Sequence, residues 1–227
     1  IISADSMQVY RYFDIGTAKV SLEDRRRVSH HLIDILEPDQ EFTAFDFKIA
    51  ALNKIREIID QQKVPIITGG TGLYLKVLCE DYDCAVQINS EIKKQVQSDI
   101  IDKGLSLIYK ELKLVDPTSA KRISPFDTQR IERAVSVYRQ TGKAFSTFSN
   151  TNSSPNFEFP IHTFLIERER KDLYSNINRR VDIMMKMGWV EEVKHILDRG
   201  FSKNLKPFQS IGYEQIVNYL DKKQTLE

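Results

Sequence analysis

Apolar residues recur along this chain at two spacings, and the switches between them lay out its elements. Ile1 and Ile2 run into Ser3-Ala4-Asp5-Ser6-Met7-Gln8, a short apolar start that ends abruptly in polar groups, as a buried strand does. Between Phe45 and Gln61 the apolar positions Phe45, Ile49, Leu52, Ile55, Ile58 and Ile59 return every three or four residues, which predicts an amphipathic helix. Thr43 stands as its N-cap, with Asp46 three residues on to close a capping box. Val64-Pro65-Ile66-Ile67-Thr68 is a β-branched run ending in Gly69-Gly70-Thr71-Gly72, after which Leu73, Tyr74, Leu75, Val77 and Leu78 predict a further helix. Helix, strand, glycine turn and helix in that order make half of a doubly wound parallel sheet.

From about Asp81 the pattern changes. Ile88 to Lys113 predicts two charged helices broken near Gly104, and Thr128 to Thr141 a third that carries Ile131, Ala134, Val135 and Tyr138, with no strand between them. Asn, Ser, Thr and Pro then crowd into 150–155, the composition of a linker. Beyond it, Ile161 to Ile166 alternates as a strand, and Arg170 to Met187, Val190 to Leu197 and Ile211 to Leu220 read as helices. Ile177 and Val181 are expected to face inward, with Met184, Met185, Met187 and Trp189 in the core. The expected fold is therefore α/β, a parallel-sheet core over 1–82 and 151–227 interrupted by an all-helical insertion over 83–150. No internal repeat appears.

Composition narrows the function by exclusion. With 227 residues, 41% of them apolar, the chain is long enough for a sizeable core or two. Thirty-three basic residues against 32 acidic ones leave a net charge of +1, so any nucleic-acid contact must be concentrated in local patches. Cys79 and Cys84, without a nearby His, fit neither a zinc site nor a disulfide framework and read as reduced thiols of a cytoplasmic protein. No apolar run reaches the roughly 20 residues of a membrane span. The chain opens inside a predicted strand without an initial Met and stops in a helical pattern, which reads as a piece of a longer protein.

Three segments carry candidate chemistry. Asp5, Ser6 and Gln8 lie just past a strand end, where open α/β sheets build ligand sites, although the same residues also make ordinary Asx and Ser turns. Gly69-Gly70-Thr71-Gly72 offers unobstructed backbone N–H groups and a hydroxyl at a helix start, and equally suits a tight turn without a ligand. Gln129, Arg130 and Arg133 fall in one helical turn close to Lys121 and Arg122, a set of forks suited to phosphates or base edges; the alternative is a solvated helix with Asp127 capping and Glu132 pairing. His30 and His31 have no partner at ligand spacing and are expected to pack or cap. Asp34 and Asp39 are assigned no chemistry.

Taken in chain order, these segments resemble the tRNA dimethylallyltransferase (IPP transferase) family. The resemblance rests on Ser3 to Tyr10 with Asp14 to Lys19, on His31-Leu32-Ile33-Asp34, on Gly69 to Tyr74, on Asp116-Pro117 with Ala120 and Arg122-Ile123, on Gln129-Arg130-Ile131 with Arg133-Ala134, and on Ile211-Gly212-Tyr213. It implies a P-loop NTPase-like core, a helical insertion that grips the anticodon stem-loop of tRNA, and transfer of a dimethylallyl group from dimethylallyl diphosphate to the N6 amine of the adenosine beside the anticodon. It also implies Asp5 as the base, Thr71 at the position that contacts the flipped adenine, and Mg²⁺ as cofactor. The tRNA-contacting stretches it implies are Asp5, Ser6, Met7 and Gln8; Gln129, Arg130, Ile131, Glu132 and Arg133; and Gln209, Ser210, Ile211, Gly212, Tyr213 and Glu214. A monomer is expected.

The chain departs from the family pattern in places. The Gly-rich loop GxxxxGK[ST], whose Lys and Ser or Thr hold diphosphate and metal, is absent, as is a C-terminal basic segment, so the metal ligands are expected outside this chain and the chain as written is not expected to catalyse efficiently. Gln209 stands where some members carry Arg, Tyr12 replaces a usual Gly, and 83–92 lacks an Arg common at the entry to the insertion. The competing readings are an adenylate isopentenyltransferase acting on free nucleotide, a non-catalytic RNA-binding module and a nucleoside kinase. The helical insertion separates the first from a tRNA enzyme, because a free nucleotide needs no additional arm.

Overall fold

The computed structural model describes residues 1–79, 86–148 and 159–225. The chain divides into two compact units, one formed by 1–75 with 157–227 and the other by 76–156. No helix of the described residues is long and apolar enough to cross a membrane.

In the first unit, β1 (Ile2–Ser3) and β2 (Ile67–Thr68) pair in parallel, Ile2 opposite Ile67 and Ser3 opposite Thr68. On its other edge β1 exchanges hydrogen bonds with His31: the Ser3 N–H donates to the His31 carbonyl and the His31 N–H to that of Ile1. Both strands are parallel, so their carboxyl ends point the same way, and the polar residues after each come together there. Between them run α1 (Leu22–Arg27) and α2 (Ala44–Asp60), and after β2 comes α3 (Gly72–Cys79). Thr43 caps α2 through the expected box: its hydroxyl accepts from the Asp46 N–H while Asp46 accepts from the Thr43 N–H. The unit continues with α8 (Arg170–Lys186), α9 (Trp189–Asp198), a 3₁₀ turn at Lys206–Gln209 and α10 (Tyr213–Leu220).

Aromatic rings organise this core. Phe13 sits against Tyr213 at 4.8 Å, Phe208 at 5.1 Å and Tyr10 at 6.5 Å between ring centres, so the loop after β1 is nailed to the C-terminal helices. Phe47 stacks flat on Tyr74, joining α2 to α3. That stack decides the rotation of α2. Its buried stripe is Phe47, Ala51, Ile55 and Ile58, while Ile49 and Ile59 of the expected stripe are exposed. Two overlapping stripes were available in the sequence, sharing Ile55 and Ile58, and ring stacking selected one.

Two other expectations fail in this unit. Ile161 to Ile166 forms no strand, and Phe164, Leu165 and Ile166 are exposed. Alternating residues become a strand only beside a partner for their N–H and C=O groups, and among the described residues none lies alongside. Ile177 and Val181 of α8 are likewise exposed, as is Met187; of the expected cluster Met184 and Trp189 are buried. Neither α1 nor α6 (Pro117–Arg122) was anticipated, because six residues are too few to show a period.

The described elements of the second unit are all helical: α4 (Ser90–Lys103), α5 (Leu105–Val115), α6, α7 (Thr128–Thr141) and a 3₁₀ turn at Phe145–Phe148. Gly104 separates α4 from α5 with φ of +83°, a conformation that favours glycine. Val96, Ile108, Leu112, Ile131, Ala134 and Val135 make the core. Arg139 bridges Asp99 of α4 and Glu111 of α5 from α7, so ion pairs join the same three helices. Buried Asp116 caps α6 through the Ser119 N–H and also accepts from the Ser146 N–H; burial works to raise its pKa, but these hydrogen bonds hold it below the usual carboxylate value. The expected linker at 150–155 and Cys84 lie outside the described residues.

Candidate functional site

At the carboxyl ends of β1 and β2 the loops 4–8 and 69–72 interlock. The Thr71 N–H donates to the Ala4 carbonyl at 3.1 Å, and the Thr71 hydroxyl accepts from the Ser6 N–H at 2.9 Å while lying 3.3 Å from the Ser6 hydroxyl. This close approach explains one glycine of the 69–72 run. A Cβ at Gly69 would stand 2.3 Å from the Ala4 carbonyl oxygen, so the second loop could not lie across the first with any other residue.

Asp5 projects from this junction. Its Oδ1 accepts from the N–H groups of Met7 (2.7 Å) and Gln8 (3.2 Å), an Asx turn that fixes the carboxylate plane. Oδ2 makes no hydrogen bond among the described residues. Gln8 in turn accepts from the Ser3 hydroxyl at 3.2 Å and donates to the Thr17 carbonyl at 3.1 Å. The result is a half-buried carboxylate, held through one oxygen and open at the other, beside the Thr71 hydroxyl. Chemically it can take a proton from a donor brought to Oδ2.

The neighbouring loop 14–19 is built differently. Glu192 of α9 gathers the N–H groups of Asp14 (3.0 Å) and Ile15 (2.7 Å) on Oε2 and that of Gly16 (3.4 Å) on Oε1, which also accepts from the Tyr213 hydroxyl at 2.6 Å. Burial pushes the Tyr213 hydroxyl strongly upward and the Glu192 carboxylate adds to the effect, so it stays a donor. Trp189 fills the space beside Gly16 and Gly212: a Cβ on either would come within 2.1 Å of its ring. Lys19, its side chain 1% exposed, reaches Asp14 and Asp34 at 2.6 Å each and the Tyr10 carbonyl at 2.7 Å. Asp34 also accepts from Arg25 at 2.6 Å. Burial works against its charge, but the hydrogen bonds from Lys19 and Arg25 outweigh it and keep the Asp34 pKa below its ordinary value.

The sequence assigned Asp34 no chemistry, and its part is scaffolding; the signal that could have linked it to Lys19 is a contact across 15 residues, invisible to local spacing. Reading by segment also missed an open cleft of about 440 Å³ against this loop, where the guanidinium-bearing Arg168, Arg179 and Arg180 face apolar Ile15, Ile183 and Met184. These arginines lie on or next to a helix whose period was read for core residues only.

The remaining predicted residues separate by exposure. On α7, Gln129 and Arg130 are exposed, with Arg130 paired to its capping Asp127 at 2.9 Å. Ile131 is fully buried, Glu132 accepts from Gln97 at 3.2 Å, and half-buried Arg133 donates to the Val86 carbonyl at 2.7 Å. The three forks expected on one face are thus divided between solvent and the interior of this unit. In the C-terminal stretch Gln209 donates to the Asn204 carbonyl, the Ser210 hydroxyl to that of Pro207, and the Gly212 N–H to Gln215. Ile211 is 95% exposed, Glu214 is exposed, and Tyr213 is buried. His31 is held by the sheet, burial lowering its pKa, and no group of three potential metal ligands occurs among the described residues.

Comparison with known proteins identifies the family. The family model described as IPP transferase matches residues 8–227. A tRNA dimethylallyltransferase of Alkaliphilus oremlandii is 43% identical over the whole chain, which covers 72% of that relative, and one of Thermotoga neapolitana is 40% identical, with 73% covered. Among solved structures, the tRNA isopentenylpyrophosphate transferase of Bacillus halodurans superimposes with a TM-score of 0.66 at 34% identity, over 99% of this chain and 70% of that one. A eukaryotic dimethylallyltransferase acting on tRNA gives a TM-score of 0.79 at 27% identity, over 98% and 57%.

Proposed function

The chain belongs to the IPP transferase family, and from that premise we propose that it transfers a dimethylallyl group from dimethylallyl diphosphate to the N6 amine of the adenosine adjacent to the anticodon in tRNA. The observation that carries the assignment of roles is the Asp5 carboxylate, fixed through Oδ1 and open at Oδ2. An exocyclic adenine amine is a poor nucleophile because its lone pair is delocalised into the ring. As the amine nitrogen forms a bond to C1 of the prenyl group, the C1–oxygen bond to diphosphate breaks, and the proton released from nitrogen passes to Asp5 Oδ2. For this the adenine leaves its stack and is met by Thr71, whose hydroxyl is held in place by Ser6.

The cleft of Arg168, Arg179 and Arg180 suits the other substrate. Guanidinium forks match diphosphate oxygens, and Ile15, Ile183 and Met184 match a five-carbon apolar tail. Mg²⁺, when bound, neutralises charge on the departing diphosphate. The described residues provide no protein cage for it, and a magnesium ion in such sites commonly rides on phosphate oxygens with few protein ligands.

The helical unit supplies RNA contacts through Gln129 and Arg130, and the C-terminal stretch through Gln209, Ile211 and Glu214. Buried Ile131 and Tyr213 position those neighbours rather than touch RNA. The protein acts in the cytoplasm as a monomer. The test is transfer of labelled dimethylallyl diphosphate to an anticodon stem-loop by the full-length protein, wild type against Asp5→Ala and Asp5→Asn. Loss of transfer with RNA binding retained is expected; unchanged transfer in both variants would overturn the role of Asp5.

A further inference from the structure

A single exposed apolar residue ordinarily asks for no explanation. Phe126 is different in three respects. Its side chain is 87% exposed although it is an aromatic ring in the helical unit, and among the described residues it makes no ring contact. It sits on a closed turn rather than a loose loop: the Phe126 N–H donates to the Ser124 hydroxyl at 3.3 Å, the Asp127 N–H to the Ser124 carbonyl at 3.0 Å, and the Thr128 N–H to the Phe126 carbonyl at 3.1 Å. Pro125 before it and the Asp127 cap of α7 after it restrict the backbone further. Finally, hydrogen-bonding and cationic side chains flank it along the chain, exposed Lys121 and Arg122 on one side, Gln129 and Arg130 on the other.

A solvent-facing ring on a restrained turn, with cationic residues near it in sequence, supplies the parts by which proteins hold unpaired nucleotides, the ring taking a base face and cations the backbone. We infer that Phe126 is a stacking platform for an unpaired base of the RNA substrate, a contact that sets affinity for a loop over a duplex. The inference rests on the tRNA reading above. It adds a residue outside the Gln129 to Arg133 stretch and depends on base exposure rather than on phosphate charge. Removing the ring therefore weakens binding without changing how steeply binding falls with salt, whereas Arg130→Ala flattens that dependence.

These 227 residues hold a single tryptophan, buried Trp189, so Phe126→Trp places a solvent-exposed indole at the site, and its emission is read as the difference from wild type. The experiment measures affinity of the full-length protein for a fluorescein-labelled anticodon stem-loop, for wild type, Phe126→Ala and Phe126→Tyr at several salt concentrations, together with Trp emission of Phe126→Trp. Expected are a loss of affinity of about 5- to 150-fold in Phe126→Ala, the value of one base–aromatic stack, with the salt slope unchanged and affinity restored by Tyr. In Phe126→Trp the emission is quenched by the stem-loop and not by a fully paired RNA duplex. Wild-type affinity in Phe126→Ala, failure of Tyr to restore a loss, or equal quenching by the duplex would each overturn the platform while leaving the tRNA reading intact. No binding of the stem-loop by wild type would overturn that reading, and the platform with it.

Discussion

Two polar loops of the first unit, 5–8 and 14–19, look alike as strings of Asp, Ser, Thr, Gln and Lys, yet the fold uses them in opposite ways. In 14–19 the charged and hydroxyl groups tie the loop to its surroundings. Asp14 pairs with Lys19, the Thr17 hydroxyl donates to the Phe13 carbonyl, and the N–H groups of 14–16 converge on Glu192. In 5–8 the Asp5 carboxylate is fixed through Oδ1 by the N–H groups of Met7 and Gln8 and makes no ion pair among the described residues. A carboxylate held in place without a neutralising cation can take a proton, whereas one paired with a buried Lys is part of a frame. The difference also predicts how each loop answers substitution, because loss in the first should appear as activity and loss in the second as stability.

The sharpest way to break the comparison is Asp5→Asn, which keeps the Oδ1 acceptor for Met7 and Gln8 but cannot accept the proton. Transfer should fall by about 10²- to 10⁴-fold with the melting temperature unchanged; a matching loss of stability would make loop 5–8 a frame as well. Gly16→Ala should do the reverse. Its Cβ would stand 2.1 Å from the Trp189 ring, and overpacking there should cost about 3 kcal/mol in denaturant unfolding, whatever remains of activity.

Asp34→Asn weakens the clasp on Lys19, and with Asp14 still in place the loss should be about 2 kcal/mol. Here pH gives a second reading. The folded-state pKa of Asp34 is below its ordinary 3.8, so its contribution is fully present above that value and is lost as pH falls through the lower, folded one. Acid unfolding of wild type should therefore steepen below about pH 4, and Asp34→Asn should flatten that part of the profile. The smallest effect is Thr71→Val. It removes the bond to the Ser6 N–H and should cost about 1 kcal/mol, with a further loss of transfer if the hydroxyl meets the adenine.

Much of the frame was legible in the sequence because its signals are local. The Thr43–Asp46 box, the break at Gly104, the span of α7 and the Asp127 cap each depend on residues within one turn, and all appear as read. Tyr12 was legible only as a departure from a usual Gly. The structure gives it φ of +72°, the left-handed region where glycine is favoured, with its ring packed on Arg199 and Phe201. The strand expected at 161–166 and the inward face of α8 failed because alternation and helical period report what a segment can bury, while burial itself requires a partner.

By itself, then, the sequence determined the longer helices, where several of them start and stop, which loops follow the paired strands, and which family these loops resemble. Those properties are set by spacing and by short-range hydrogen bonding, which act within a few residues of one another. Tertiary structure alone decided that Gly16 and Gly212 are glycine because both abut Trp189, that Lys19 is closed within Asp14 and Asp34, and that Asp14 is paired with a buried cation while Asp5 is held by backbone N–H groups. Each of these is a contact between residues far apart in the chain. Its energy exists only once the folded backbone has brought the groups within hydrogen-bonding or van der Waals distance.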